Sequence, residues 1–171
     1  MRQPLRRMII AIATLSCATF GAVPASAATN IVQVQANLAK PLTLSWVQDL
    51  DLGSIVLGPG TWSNVTVSIS RTGAFNCTSA NVTCTGTTQV ATYNVTGNNN
   101  DVVRIAAPNV TLVNQDDPTK TLTLVVDSPA SITLTKSGKP GQNFSMGGSI
   151  SLDSSTAGGT YVGTFSVTVD Y

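Results

Sequence analysis

Gly158-Gly159-Thr160-Tyr161-Val162-Gly163-Thr164-Phe165-Ser166-Val167-Thr168-Val169-Asp170-Tyr171 alternates between two kinds of side chain almost without a break. Tyr161, Gly163, Phe165, Val167, Val169 and Tyr171 fall on one face. Thr160, Thr164, Ser166, Thr168 and Asp170 fall on the other, with Val162 the exception. Successive side chains leave a pleated backbone on opposite sides, so a period of two residues is that of a half-buried strand. β-Branched and aromatic residues supply most of the apolar face, as strands favour.

The same period recurs upstream. Val32, Val34, Ala36 and Leu38 alternate with polar or small partners, and Leu42, Leu44 and Trp46 keep the phase after Pro41. Leu50, Leu52, Ile55 and Leu57 lead to the turn Gly58-Pro59-Gly60. Trp62 to Ser70 alternates through Val65, Val67 and Ile69, and further short strands are predicted over 90–96, 102–106, 110–113, 122–126 and 132–135. Reversals are expected at 97–100, 116–118, 138–141, 147–148 and 158–159, where Gly, Asn, Asp and Pro gather. A turn every 8 to 15 residues is the spacing of a sandwich or barrel. No window downstream of residue 27 has a 3.6-residue amphipathic period, and no domain boundary shows. Asn-Val-Thr at Asn64, Asn81, Asn94 and Asn109 reads as turn-to-strand composition rather than a repeat. The expected fold is all-β, an immunoglobulin-like antiparallel β-sandwich in one domain.

The N-terminus differs in kind. Arg2, Arg6 and Arg7 precede an apolar or small run from Met8 to Phe20, and Ala25-Ser26-Ala27 fits the small-x-small cleavage pattern. This is read as a secretory signal peptide over 1–27, the apolar stretch being too short for a transmembrane helix. Cleavage after Ala28 is the close rival. Leu15-Ser16-Cys17 resembles a lipoprotein site, a weaker alternative because Thr14 suits that motif's apolar position poorly. Residues 28–39 then form an N-terminal extension or first strand, and 40–171 the domain. The processed chain has 144 residues, enough to bury roughly two-thirds of its unfolded surface. Six basic residues remain against eight Asp, a net charge of −2, with no Glu. No basic patch suggests nucleic acid as a partner.

Export places Cys77 and Cys84 where disulfides persist, and a bridge closing the polar stretch between them is expected. Metal binding is the rival, but two cysteines without His make a poor site. The complete absence of His removes the Ser-His-Asp triad, the Cys-His pair and the commonest zinc sites. A two-carboxylate hydrolase remains formally open, since eight Asp are present. Asp49 and Asp51 read as a solvent-facing pair and Asp116-Asp117 as a turn, while calcium would want more acids nearby. No catalytic residue, cofactor or metal site is expected, and the chain is not expected to be an enzyme. Most of the scattered aromatics read as core, with Tyr161 and Phe165 covering glycine gaps on neighbouring strands.

Three segments together resemble the secreted bacterial family catalogued as domain of unknown function 4402: Pro41-Leu42-Thr43-Leu44 with Asp49-Leu50-Asp51-Leu52-Gly53-Ser54-Ile55; Val65 to Ser70 with Arg71-Thr72-Gly73; and Gly158 to Tyr171. The resemblance spans about residues 36 to 171 and implies fold and location more than activity. The C-terminal segment is also similar to the last strand of chaperone–usher pilins, especially the archaic class with spore-coat-protein-U-like subunits. Its aromatic is Tyr171 itself rather than a penultimate residue, so the match follows the archaic pattern or is partial.

The pilin resemblance implies a sandwich completed by a neighbour's strand. Val32, Val34, Ala36 and Leu38 would be donated, while Gly158, Tyr161, Phe165, Val167, Val169 and Tyr171 would take part in assembly. The implied partners are further copies or other surface subunits, with a periplasmic chaperone and usher in transit, and the implied destination is the cell surface or exterior. The rival is a stand-alone secreted module binding carbohydrate or protein, with residues 32–38 the first strand of their own sandwich.

Overall fold

The computed structural model describes residues 33–136 and 138–171. The expected leader, and Val32, lie outside them. The compact unit Asn37–Tyr171 is all-β. Its strands are β1 (Thr43–Gln48), β2 (Ser54–Leu57), β3 (Val65–Ile69), β4 (Phe75–Asn76), β5 (Val82–Thr85), β6 (Ala91–Thr96), β7 (Val102–Ala106), β8 (Val110–Asn114), β9 (Thr121–Asp127), β10 (Ser131–Thr133), β11 (Gln142–Leu152), β12 (Tyr161–Val162) and β13 (Thr168–Asp170). Every strand pairing is antiparallel. No helix among the described residues is long and apolar enough to cross a membrane.

Two stretches of chain change partners along their length, and the core falls into two clusters. The stretch from Thr43 to Leu57 pairs first with β6, bridges Asp51 to Gln89, and then pairs with β5 as β2. β11 pairs with β6 in its first half and with β3 and β9 in its second. The upper cluster gathers Val65, Val67, Val82, Val110, Leu124, Ile150 and Leu152. The lower gathers Ala91, Val95, Val103, Ile105, Leu134, Phe144 and Met146. Phe165 packs against both. In β3 the alternation is plain: Val65, Val67 and Ile69 are buried and Thr66 is exposed.

Three sequence expectations need correction. Gly147-Gly148 is not a reversal but the middle of β11, the longest strand. A Cβ on Gly147 would collide with the Ile69 carbonyl oxygen, so glycine there lets two backbones approach where β11 changes neighbours. The alternating stretch 161–171 is not one continuous strand. β12 pairs with β8 and β13 with β7, and the register slips by one residue between them. β7 and β8 are themselves separated by Ala107-Pro108-Asn109, where proline has no N–H to offer a ladder. The polar stretch after Cys77 ends earlier than expected, because Val82 already opens β5. Residues 33–40 carry no strand.

Candidate functional site

The upper level is open along one side. Between residues 50–57 and residues 158–165 lies a cavity of about 880 Å³. Leu50, Leu52, Ile55 and Leu57 form one wall, and Val110, Leu112, Leu122, Leu124, Ile150 and Leu152 lie at its base. The far wall is formed by residues Gly158 to Phe165. β2 is paired on one edge only, with β5, and β12 on one edge only, with β8. The two edges bordering the groove therefore have no strand partner among the described residues. Unpaired edges are templates for another strand, and this pair borders half-buried apolar side chains.

The rim is held by specific hydrogen bonds. Asn114 is the buried polar residue of the core, 1% exposed. Its side-chain amide donates to the Gly158 carbonyl at 2.9 Å, and its Oδ1 accepts from the N–H groups of Asp116 at 2.9 Å and Asp117 at 3.3 Å. Gly159 (φ 135°) lies against the same side chain, with no room for a Cβ. Tyr161 Oη donates to the Ala157 carbonyl at 2.9 Å. Trp62 is buried just outside β3 and its indole N–H donates to the Gly58 carbonyl at 3.1 Å. Behind the leucine wall, Cys77 and Cys84 are bridged, with Cα atoms 6.3 Å apart.

At the lower end of the groove three aromatics form a cross-strand row. Trp46 stands opposite Tyr93, and Tyr93 opposite Phe144. Tyr93 and Phe144 stack with centroids 5.7 Å apart. Phe144 is buried, whereas Trp46 on the edge strand is 63% exposed although it lies on the groove side. The Trp46 indole N–H donates to Asp49 Oδ1 at 3.0 Å. Burial first, and the Asp49 carboxylate second, hold the Tyr93 hydroxyl above its ordinary titration range.

Below this row β1 and β13 flank the lower cluster. Leu42 and Leu44 from one side and Val167 and Val169 from the other pack on the lower cluster. Tyr171 Oη donates to the Lys40 carbonyl at 2.7 Å and accepts from the Asn98 N–H at 2.9 Å. The Lys40 N–H donates to Asn98 Oδ1 at 2.8 Å.

Of the residues singled out in the sequence, Gly158, Tyr161 and Phe165 thus line the groove, Val167 and Val169 pack on the lower cluster, and Tyr171 bonds to Lys40 and Asn98 at the lower end. Val34, Ala36 and Leu38 are exposed. The leucine wall and Asn114 were not anticipated as site residues. The wall leaves one trace in the sequence: apolar positions move from even (Leu50, Leu52) to odd (Ile55, Leu57) across Gly53-Ser54, where the chain changes partners. Asp51 and Asp117 have local roles. Asp51 accepts from the Gly53 N–H at 2.8 Å, and Asp117 accepts from the Thr119 N–H and hydroxyl. No three His, Cys, Asp or Glu side chains among the described residues gather to hold a metal ion.

No curated protein and no solved structure matches the chain. The family profile of the domain of unknown function DUF4402 matches residues 42–171.

Proposed function

The chain belongs to the DUF4402 family, and we propose that it is an exported, non-enzymatic structural subunit of the cell surface, of the fimbrial or coat kind. In this reading the domain is an immunoglobulin-like sandwich short of one strand, completed by strand addition. The observation that carries it is the groove: a cavity lined by half-buried apolar side chains and flanked by two strand edges without partners among the described residues. An added strand would meet backbone donors and acceptors at the edges and place alternate side chains on the leucine-rich base. Three such apolar side chains would contribute roughly 5–9 kcal/mol gross at about 1.5–3 each. A periplasmic chaperone would cover the groove before assembly and an usher would receive the subunit.

A second reading, a stand-alone module binding carbohydrate or protein, is favoured by Trp46, an exposed indole beside a carboxylate.

The test compares forms beginning at Ala28 and at Lys40. The shorter form is expected to melt lower and to regain stability when a peptide of residues 28–39 is added. A short form that melts like the long one and ignores the peptide would remove the strand-addition reading and turn attention to Trp46.

A further inference from the structure

We propose that the lower end of the groove is a binding site for a small organic cation of the quaternary ammonium class, seated on the indole face of Trp46 and facing the Asp49 carboxylate. Such a site is independent of strand addition, because the rim at β1 builds it rather than the apolar base.

A bulge shapes that rim. Trp46 stands opposite Tyr93, but the next paired residue is Gln48, opposite Thr92, so Val47 is an extra residue in β1. One inserted residue reverses the alternation beyond it. A regular strand would send Asp49 to the face away from Trp46. Here Asp49 comes round to the Trp46 side and accepts the indole N–H at 3.0 Å. Gln48 fixes the bulge, its side-chain amide donating to the Val90 carbonyl at 3.1 Å. Trp46, Asp49 and Tyr93 all line the cavity as a result.

The indole is held by its N–H yet remains 63% exposed, so a fixed ring offers its face to a ligand. A cation over an aromatic ring is attracted by the ring quadrupole, most strongly at tryptophan. A carboxylate accepting the indole N–H adds electron density to the ring and deepens that attraction. Asp49 and Asp51 both line the cavity, and among the described residues no Lys or Arg does. The ion pair recorded among those residues lies elsewhere, between Arg71 and Asp127. The field of Asp49 reaches the neighbouring ring: after burial, this carboxylate is the second cause that raises the Tyr93 hydroxyl. A cleft of one sign with apolar walls focuses its field, and a ligand both positive and apolar suits it best.

The class of cation follows from what Asp49 leaves free. A guanidinium pairs best with both oxygens of a carboxylate, but Oδ1 is engaged by the indole. Calcium takes roughly six to eight oxygens, and no three acidic, Cys or His side chains gather among the described residues. A primary ammonium is strongly hydrated and needs acceptors for three donors. A trimethylammonium group has no N–H to satisfy and spreads its charge over methyl groups. It requires an aromatic face and a negative charge nearby, which Trp46 and Asp49 supply.

The test follows the indole N–H resonances of the isotope-labelled full chain, from Trp46 and from Trp62, which is buried and bonded to Gly58. Trp46→Phe identifies them. Choline chloride is titrated at constant ionic strength beside neohexanol, its uncharged carbon isostere, and methyl glucoside. The Trp46 resonance is expected to move saturably with choline while that of Trp62 stays, and neohexanol to bind about tenfold more weakly or worse. Asp49→Asn keeps an oxygen for the indole N–H but loses the charge, and is expected to weaken choline about five- to tenfold. An unmoved Trp62 resonance reports that this variant is folded, and the neohexanol comparison needs no substitution. Equal binding of choline and neohexanol, or unchanged affinity in Asp49→Asn, would overturn the inference. A Trp46 shift with methyl glucoside alone would overturn it in favour of carbohydrate. No shift with any of the three would overturn it and leave strand addition untouched, since the peptide of residues 28–39 tests that separately. With choline bound, sedimentation beside phosphatidylcholine vesicles identifies the source: co-sedimentation means a lipid headgroup, and its absence a free solute.

Discussion

Asn114 shows how much one side chain can hold. It joins the chain leading into β12 to the turn after β8 through three hydrogen bonds made by its amide. Replacing it by alanine leaves the Gly158 carbonyl and two backbone N–H groups short of partners. Asn114→Ala is expected to lower stability by about 1–3 kcal/mol, read as a reduced urea midpoint at unchanged slope. In the sequence Asn114 reads only as the edge of the Asp116-Asp117-Pro118 turn, because its importance comes from Gly158 across the fold. Asp153 and Asp117 are local by contrast. Side-chain hydrogen bonds first, from Ser155 and Thr119 respectively, pull their carboxyls below the ordinary 3.8. A carboxyl depressed in the folded state favours folding above its unfolded value, and that advantage fades as pH falls through the folded one. Melting temperature is therefore expected to begin falling only below about pH 4, and Asp153→Asn to lessen that fall. Thermal melts across an acid series check both.

At the scale of elements, the strands readable in the sequence are those with one buried face. β3, β7 and β9 alternate cleanly and were anticipated. β11 was not, because Gly147-Gly148 signals a turn to any local reading, and only Ile69 and Leu124, brought in from distant strands, explain glycine there. β4 and β12, at two residues each, exist through their partners rather than their composition. The bridge of Cys77 to Cys84 was legible from spacing and is present. It ties β5, and through it the β2 wall of the groove, to the chain leaving β4. The loop it closes is short, so losing it through Cys77→Ser with Cys84→Ser should cost about 2.5 kcal/mol on the chain-entropy estimate. Chemical denaturation of oxidised and substituted protein measures this.

For the whole molecule, the all-β class followed from period and composition. The open side did not. Alternation says that Leu50, Leu52, Ile55 and Leu57 seek a buried face, but whether that face is covered depends on which strands stop short, and those strands lie about a hundred residues away in sequence. The same limit applies to the aromatic row: Trp46 and Phe144 look alike as core candidates, and only the position of β1 at a sheet edge leaves one exposed and the other buried.

The clasp between Tyr171 and Lys40 joins residues 131 apart in sequence. Such a contact forms only after almost the entire domain has been gathered, and the entropy of closing so long a loop must be met before the contact rewards it. Folding dominated by pairings of this kind belongs to the millisecond-to-second range. Through that interval the apolar sides of β2 and β12 are open to any extended chain nearby. Each newly delivered molecule is thus in a race between closing its own lower pole and colliding with others, and its yield is set by concentration and by the speed of closure as much as by final stability.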